Sequence, residues 1–209
     1  MKIKKFEVGP LLVNCYVVYD ETSKECFIID PGDEPDLILD FVKEEELNVS
    51  YIICTHGHFD HIGAVGEIKE ATGAEIILHE KDLEIYKNSP IVASQFFGID
   101  MEIQPDPDRL IKDEDLIKIF KREIQAIHTP GHSPGSISIH FDGYLFTGDT
   151  LFAGSVGRTD LFGGNMQELM KSLKKIAQLP SETIILPGHG PKSKLETEKK
   201  TNPFYHDIL

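Results

Sequence analysis

The stretch Cys54-Thr55-His56-Gly57-His58-Phe59-Asp60-His61 holds three imidazoles and one carboxylate within its last six residues. Imidazole nitrogen and carboxylate oxygen are ligands that a borderline divalent ion such as zinc accepts. Such a density of donors is difficult to reach by chance in a chain with 9 histidines. The stretch therefore predicts a metal site, and the fold must hold these side chains rigidly.

The chain on either side of this stretch predicts how it is held. The preceding run, Val49-Ser50-Tyr51-Ile52-Ile53-Cys54, is short, apolar and β-branched, which is typical of a buried strand. The following run, Ile62-Gly63-Ala64-Val65, opens a predicted helix. The donors are therefore expected on a loop at the carboxyl end of a strand.

Apolar residues at strand or helix spacing continue along the whole chain. Further strands are predicted at 1–8, 14–19, 25–29, 75–78, 116–120, 124–127, 136–141, 144–146 and 183–186. Helices are predicted at 34–47, 62–73 and 81–87, from a capped start at Asn165, and briefly after Lys194. The buried stripe of the helix that starts at Asn165 is expected to be Met166, Leu169, Met170, Leu173 and Ile176.

No composition break, low-complexity run or repeat divides the sequence. We therefore expect one domain over residues 1–209, of the α/β class, with two mixed sheets packed face to face and helices outside each. Residues 88–110 are the least regular part of the chain. A lid over a site and a contact with a neighbouring subunit explain such a segment equally well.

Composition excludes several classes of partner. The chain has 35 acidic and 21 basic residues and a formal net charge of −14. This balance argues against nucleic-acid binding, which needs a basic face, and against an anionic membrane surface. The cysteines, Cys15, Cys26 and Cys54, are odd in number and lack CxxC spacing, so we expect buried thiols and no disulfides. No signal peptide or membrane span is apparent, and the cytoplasm is the expected location.

Three more candidate ligands occupy the same kind of position as the histidine stretch. His132, Asp149 and His189 each follow a predicted strand, and each comes directly after a glycine that allows the backbone to turn tightly. With the first four donors they make five histidines and two aspartates, too many for one tetrahedral ion. The set suits two ions about 3.5–4 Å apart that share a carboxylate and a water.

Such a centre would need no serine or cysteine nucleophile. His56 and His58 can point at one ion, and Asp60 and His61 at the second. Water between two cations loses a proton near neutral pH and becomes the nucleophile, while the ions polarise a carbonyl. The residues therefore predict metal-dependent hydrolysis.

The same pattern resembles the metallo-β-lactamase-fold hydrolases, and within them glyoxalase II, the hydroxyacylglutathione hydrolases. The resemblance covers nearly the whole chain. It is carried by His-x-His-x-Asp-His and by Asp30-Pro31-Gly32, Thr129-Pro130-Gly131-His132-Ser133-Pro134-Gly135-Ser136, Phe146-Thr147-Gly148-Asp149-Thr150-Leu151-Phe152 and Pro187-Gly188-His189-Gly190. It implies a four-layer αβ/βα sandwich.

The resemblance also implies roles for individual residues. The first metal would be bound by His56, His58 and His132, and the second by Asp60, His61 and His189. Asp149 would bridge the two metals, Asp60 would also orient the bridging hydroxide, and Asp30 would steady the histidine loop from outside the ligand set. Zinc is the first expectation for both ions, and iron or manganese also suits these ligands.

The substrate implied is a small thioester, first of all S-2-hydroxyacylglutathione. Glyoxalase II proper has a helical segment after the last ligand that contacts glutathione, and this chain ends at Leu209, too soon for it. In the glutathione loop Arg158 keeps the cation, but Asp160 stands where an aromatic residue is expected. This Gly-Arg-Thr-Asp motif resembles that of the shorter, single-domain glyoxalase II-like proteins. For Arg158, substrate binding and a salt bridge to Asp160 are equally supported.

One other class of enzyme remains open. Persulfide dioxygenases share the fold and similar Gly-Arg-Thr-Asp text, and they use a single iron. A non-catalytic metal-binding protein is disfavoured, because degenerate relatives usually lose a ligand and none is missing here.

Overall fold

The β-branched runs form two mixed sheets in the computed structural model, which describes residues 1–113 and 115–206. Contacts between residues divide the chain into two units. Unit 1 is Met1–Ile111 with Lys118–Glu123, and unit 2 is Lys112–Ile117 with Ile124–Leu209. The expectation of a single domain stays a prediction.

The first sheet has six strands in the order β1-β2-β3-β4-β5-β6. Their bounds are Lys2–Val8, Val13–Tyr19, Glu25–Ile29, Asn48–Ile53, Glu75–His79 and Arg109–Ile111. Strands β1 to β3 are antiparallel, and β3 to β6 are parallel. Because Ile29 pairs with Ile53, the residues that follow β3 and β4 leave the sheet side by side. This register brings Asp30 next to the histidine loop.

Four helices belong to unit 1: α1 Pro35–Glu44, α2 Phe59–Ile62, α3 Val65–Thr72 and α4 Leu83–Val92. Two differ from the prediction. Residues 59–61, expected as loop, form the short helix α2 together with Ile62, because His61 N donates to His58 O in a helical turn. The helix predicted at 81–87 continues to Val92 despite Pro90, and a π-helical turn, Ala93–Phe97, follows it. The irregular part of the segment is therefore shorter than expected.

The second sheet has the order β14-β13-β10-β9-β8-β7. In chain order, β7 to β10 are Leu116–Ile119, Arg122–His128, Ile137–Phe141 and Tyr144–Gly148, and β13 and β14 are Ile184–Pro187 and Ser193–Lys194. Asp142-Gly143 forms the turn of the β9–β10 hairpin, with positive φ at both residues as an Asp-Gly turn requires. A small hairpin of β11 Leu151–Phe152 and β12 Ser155–Val156 was not predicted.

Unit 2 also contains α5 Met166–Ile176, α6 Leu195–Thr201 and α7 Pro203–His206. The capped start of α5 is confirmed, since Asn165 Oδ1 accepts from the backbone of Gln167 and Glu168. The core of this unit includes Leu169, Leu173 and Ile176. Met166 is 43% exposed, and its predicted burial is wrong. It lies in the first turn of α5, ahead of the part of the helix that the core covers.

The three cysteines are free and buried, as predicted. Burial raises the pKa of the Cys26 thiol to about 12, which keeps it protonated and inert. Within residues 1–113 and 115–206 no helix is both long enough and apolar enough to cross a membrane.

Candidate metal centre

Asp30 organises the histidine loop of unit 1. Its carboxylate is buried and accepts hydrogen bonds from the Thr55 backbone at 2.7 Å, the Thr55 hydroxyl at 2.6 Å and His61 Nδ1 at 3.0 Å. Because the Thr55 hydroxyl donates its one hydrogen to Asp30, Thr55 Oγ1 accepts a hydrogen bond from His56 Nδ1 at 3.1 Å. Both imidazoles therefore carry their proton on Nδ1. This leaves the Nε2 lone pair of each ring for a metal.

The remaining donors of unit 1 lie around His56. The His56 ring centroid lies 4.7 Å from that of His58 and 4.2 Å from that of His61. His61 Nε2 lies 3.6 Å from Asp60 Oδ2, too far for a hydrogen bond. Two ligands of one tetrahedral ion with bonds of about 2.1 Å stand about 3.4 Å apart. Asp60 Oδ2 and His61 Nε2 therefore have the spacing of two ligands on a common ion.

Backbone contact between two glycines fixes α2 against the chain that follows Asp30. A Cβ on Gly32 would lie 1.7 Å from the Asp60 carbonyl oxygen, and one on Gly63 would lie 2.2 Å from the Gly32 carbonyl oxygen. Only residues without a side chain allow this approach. The contact sets the position of the helix that carries Asp60 and His61.

Two supports of the loop were not found from the sequence. Asp82 Oδ2 accepts from the Gly57 backbone at 2.8 Å, and the Ser89 hydroxyl donates to the Gly57 carbonyl. Both side chains are buried. In the sequence Asp82 looks like an ordinary polar residue of a helix, and Ser89 falls in the segment predicted to be irregular, because the contacts with Gly57 exist only after folding. These bonds hold the backbone between His56 and His58.

In unit 2, parallel pairing sets two more candidate ligands side by side. Strands β10 and β13 are parallel with Gly148 opposite Pro187, and Gly188 N donates to Gly148 O at 2.8 Å. Asp149 and His189 follow these strand ends directly. His132 follows β8 by a short turn, which Gly131 closes with φ of 139° against the backbone of Leu169.

Asp149 Oδ2 lies 3.6 Å from His132 Nε2 and 3.6 Å from His189 Nε2. Both distances exceed a hydrogen bond and match the spacing of ligands on a common ion. His132 Nδ1 donates to the Arg158 carbonyl at 2.8 Å, so its Nε2 is again the lone-pair nitrogen. The donor set of unit 2 therefore also fits a divalent metal.

Arg158 itself is engaged at the surface. Its guanidinium donates two hydrogen bonds, at 2.7 and 2.8 Å, to the Asp160 carboxylate. This fork lowers the pKa of Asp160 to about 2, and both side chains are exposed. The salt bridge considered from the sequence is present, and substrate binding by Arg158 stays a proposal.

Comparison with known proteins places this geometry in a family. The family model of the metallo-beta-lactamase superfamily matches residues 8–189. The hydroxyacylglutathione hydrolase GloC of Haemophilus influenzae is 36% identical, over 98% of this chain and 98% of that protein. The similarity to GloC agrees with the glyoxalase II-like motifs of the sequence.

Two crystal structures have the same fold. That of TTHA1623 in a di-iron-bound form has a TM-score of 0.87 and 40% identity, over 96% of this chain and 99% of that one. That of the B3 metallo-beta-lactamase BLEG-1 has a TM-score of 0.92 and 37% identity, over 98% and 99%. The predicted α/β fold class is confirmed, and the family together with the His/Asp clusters supports divalent metal binding. This chain belongs to the metallo-β-lactamase superfamily.

Proposed function

We propose that the protein is a two-metal hydrolase of small thioesters, with S-2-hydroxyacylglutathione as the first candidate substrate. The superfamily and the GloC relative support a metal-dependent hydrolase in general. The two-metal proposal depends on the position of Asp149 Oδ2. This oxygen lies 3.6 Å from both His132 Nε2 and His189 Nε2, the distance expected between two ligands of a common ion. A carboxylate shared in this way is what a bridging ligand requires.

The ligand assignment follows the family resemblance. The first ion is assigned to His56, His58 and His132, the second to Asp60, His61 and His189, and both to Asp149. The protonation of Nδ1 on His56, His61 and His132 supports it, since each of these rings then offers Nε2 to an ion. Zinc is proposed first, and the di-iron form of TTHA1623 keeps iron as the alternative.

The residues around the proposed ions have separate roles in the reaction. Two bound divalent ions supply Lewis acidity and lower the pKa of bound water. Asp60, assigned as the catalytic carboxylate, orients the attacking water toward the thioester carbonyl. Asp30 and Thr55 hold the imidazoles in the required tautomer, and Asp82 and Ser89 hold the Gly57 backbone between two ligands. The products are a carboxylate and a free thiol.

Arg158 is proposed to bind a carboxylate of the substrate after exchanging Asp160 for it. We expect Arg158→Ala to raise KM for S-lactoylglutathione about tenfold with little change in kcat, since a hydrogen bond to a charged group contributes about 1.5–3 kcal/mol. Asp160→Ala should lower KM, because it releases the guanidinium. Steady-state kinetics of the two variants provide the measurement, and an unchanged KM in both would remove Arg158 from the site.

The Arg158–Asp160 pair is expected to contribute little to stability. The pKa of Asp160 is lower in the folded chain, so any contribution is present at neutral pH and is lost as the pH falls toward 2. Both side chains are exposed, which screens the pair. The KM effect of Arg158→Ala should therefore appear without a change in the unfolding midpoint at pH 7.

The alternative is a mono-iron persulfide dioxygenase of the same fold. A substrate panel on metal-reconstituted protein separates the candidates: S-lactoylglutathione, acetyl-coenzyme A, a chromogenic β-lactam, and glutathione persulfide with oxygen uptake recorded. The β-lactam is included because BLEG-1 is described as a B3 metallo-beta-lactamase. We expect thioester cleavage to dominate. Oxygen uptake with one iron per chain, and no thioester cleavage, would favour the dioxygenase.

A further inference from the structure

Two side chains of helix α6 and its end form a buried polar cluster against the β11–β12 hairpin. Glu198 is 1% exposed and Asn202 is 0% exposed. Glu198 Oε2 accepts from the Gly154 backbone at 2.8 Å, and Asn202 Nδ2 donates to the Ser155 carbonyl at 3.0 Å. These bonds hold the turn of the hairpin. Buried polar groups of this kind are costly unless they are satisfied, so the cluster specifies one position for the turn.

The cluster is also closed on itself. Asn202 Nδ2 donates to Glu198 Oε2 at 2.9 Å, and the Ser193 hydroxyl donates to Glu198 Oε1. Asn202 Oδ1 accepts from Phe204 N at 3.1 Å, which fixes the side-chain amide so that its nitrogen faces Glu198 and Ser155. The carboxylate therefore meets three donors: Gly154, Ser193 and Asn202. Its side chain cannot shift without breaking several bonds at once.

The two ends of the hairpin lie next to proposed metal ligands. Asp149 comes just before β11, and Arg158, whose carbonyl accepts from His132 Nδ1, comes just after β12. Between them, a Cβ on Gly157 would lie 1.7 Å from the Asp149 carbonyl oxygen and 3.1 Å from His132 Nδ1. The backbone at Gly157, which follows β12, therefore lies in direct contact with Asp149 and His132. A displacement of the turn would move the carbonyl that orients the His132 ring.

We infer that Glu198 and Asn202 are positioning residues for the metal centre, which act on His132 through the β11–β12 hairpin and the Arg158 carbonyl. The inference rests on the proposed function, since it takes His132 as a ligand of the first ion. Neither residue touches the ligands directly. Groups that hydrogen-bond directly to metal ligands typically change metal affinity 10–100-fold when they are removed, so residues one step further back are expected to have an effect at the low end of that range.

Substitutions at Glu198 and Asn202 remove or keep individual hydrogen bonds of the cluster. Glu198→Ala removes the acceptor of all three donors. Glu198→Gln keeps one oxygen for Gly154 and Asn202, and its amide can donate to the Ser193 hydroxyl, so it should rescue. Asn202→Asp keeps the acceptor for Phe204 but loses the donor to Ser155 and places a second carboxylate beside Glu198. Tyr205→Phe is the control, because the buried Tyr205 hydroxyl makes no hydrogen bond within the described part of the chain.

The test is cobalt(II) titration of the metal-free proteins, followed by visible absorption, with circular dichroism to verify folding. We expect wild type, Glu198→Gln and Tyr205→Phe to bind two cobalt ions alike. Glu198→Ala and Asn202→Asp should bind one ion normally and the other about tenfold more weakly. If Glu198→Ala does not fold, Asn202→Asp, which retains Glu198, tests the same step.

Unchanged affinity for both cobalt ions in a folded Glu198→Ala or Asn202→Asp variant would overturn the inference and leave the proposed function intact. Equal weakening of both ions, or weakening in Tyr205→Phe as well, would also overturn it, because a general loss of packing would then be the cause. A wild-type chain that binds no cobalt would instead overturn the proposed function, and the inference with it.

Discussion

Asp149→Asn is expected to lower kcat for thioester cleavage by roughly 10²–10³-fold and to reduce the metal content from two ions to one. Asp149 Oδ2 stands 3.6 Å from both His132 Nε2 and His189 Nε2, so the substitution weakens the one ligand assigned to both ions. Metal ions contribute several kcal/mol to such transition states, and each 1.36 kcal/mol is a factor of ten in rate. Steady-state kinetics and metal analysis of the same sample measure both effects.

Asp142→Asn is the matched control for this substitution. Asp142 occupies the β9–β10 turn with φ of 53°, a conformation that asparagine also tolerates. It should keep both ions and the wild-type kcat. An Asp149→Asn variant that retained two ions and full turnover would remove Asp149 from the metal centre.

Gly32→Ala is expected to lower the free energy of unfolding by about 3 kcal/mol or more, because the new methyl group would meet backbone and not a flexible side chain. Its Cβ would lie 1.7 Å from the Asp60 carbonyl oxygen, so either the Asp30-Pro31-Gly32 segment or α2 must move. Since α2 carries Asp60 and His61, metal affinity should fall as well. Thermal unfolding should shift down by about 6–12 °C, since 1 kcal/mol corresponds to about 2–4 °C at this chain length.

Gly66→Ala provides the comparison within the same unit. Its Cβ would meet the end of the Gln104 side chain at 3.1 Å and the Pro105 ring at 3.2 Å, which are side chains and not backbone, and alanine is the better residue in a helix such as α3. We expect its unfolding free energy to stay within about 1 kcal/mol of wild type. Equal stability of Gly32→Ala and Gly66→Ala would show that the close contact at Gly32 does not hold α2.

Local sequence was sufficient to predict the parts of the site that follow strands. Strand β4 before the histidine loop, and β10 and β13 before Asp149 and His189, are short apolar runs, and glycine marks the ends of the last two. The place of Asp30 beside the loop was implied by the family resemblance, and the pairing of β3 with β4 accounts for it. In these cases a strand end and its donor are adjacent in sequence, so the pattern contains both.

The parts that could not be predicted depend on contacts between distant residues. Pro90 indicates the end of a helix, yet α4 continues past it, and Ser89 makes bonds to the Gly57 and Ile85 carbonyls. The β11–β12 hairpin has two-residue strands, too short for any periodicity, and Glu198 and Asn202 hold its turn from more than forty residues away. Tertiary contact outweighs local propensity in both places.

The number of divalent ions bound per wild-type chain tests the central claim most directly. Metal-free protein is titrated with zinc, dialysed to remove loosely bound ions, and measured for metal and protein by mass spectrometry. The proposed centre of five histidines and two aspartates predicts two tightly bound ions per chain, with thioester cleavage reaching its maximum at the second equivalent. One ion per chain at saturation, with full activity at the first equivalent, would contradict it.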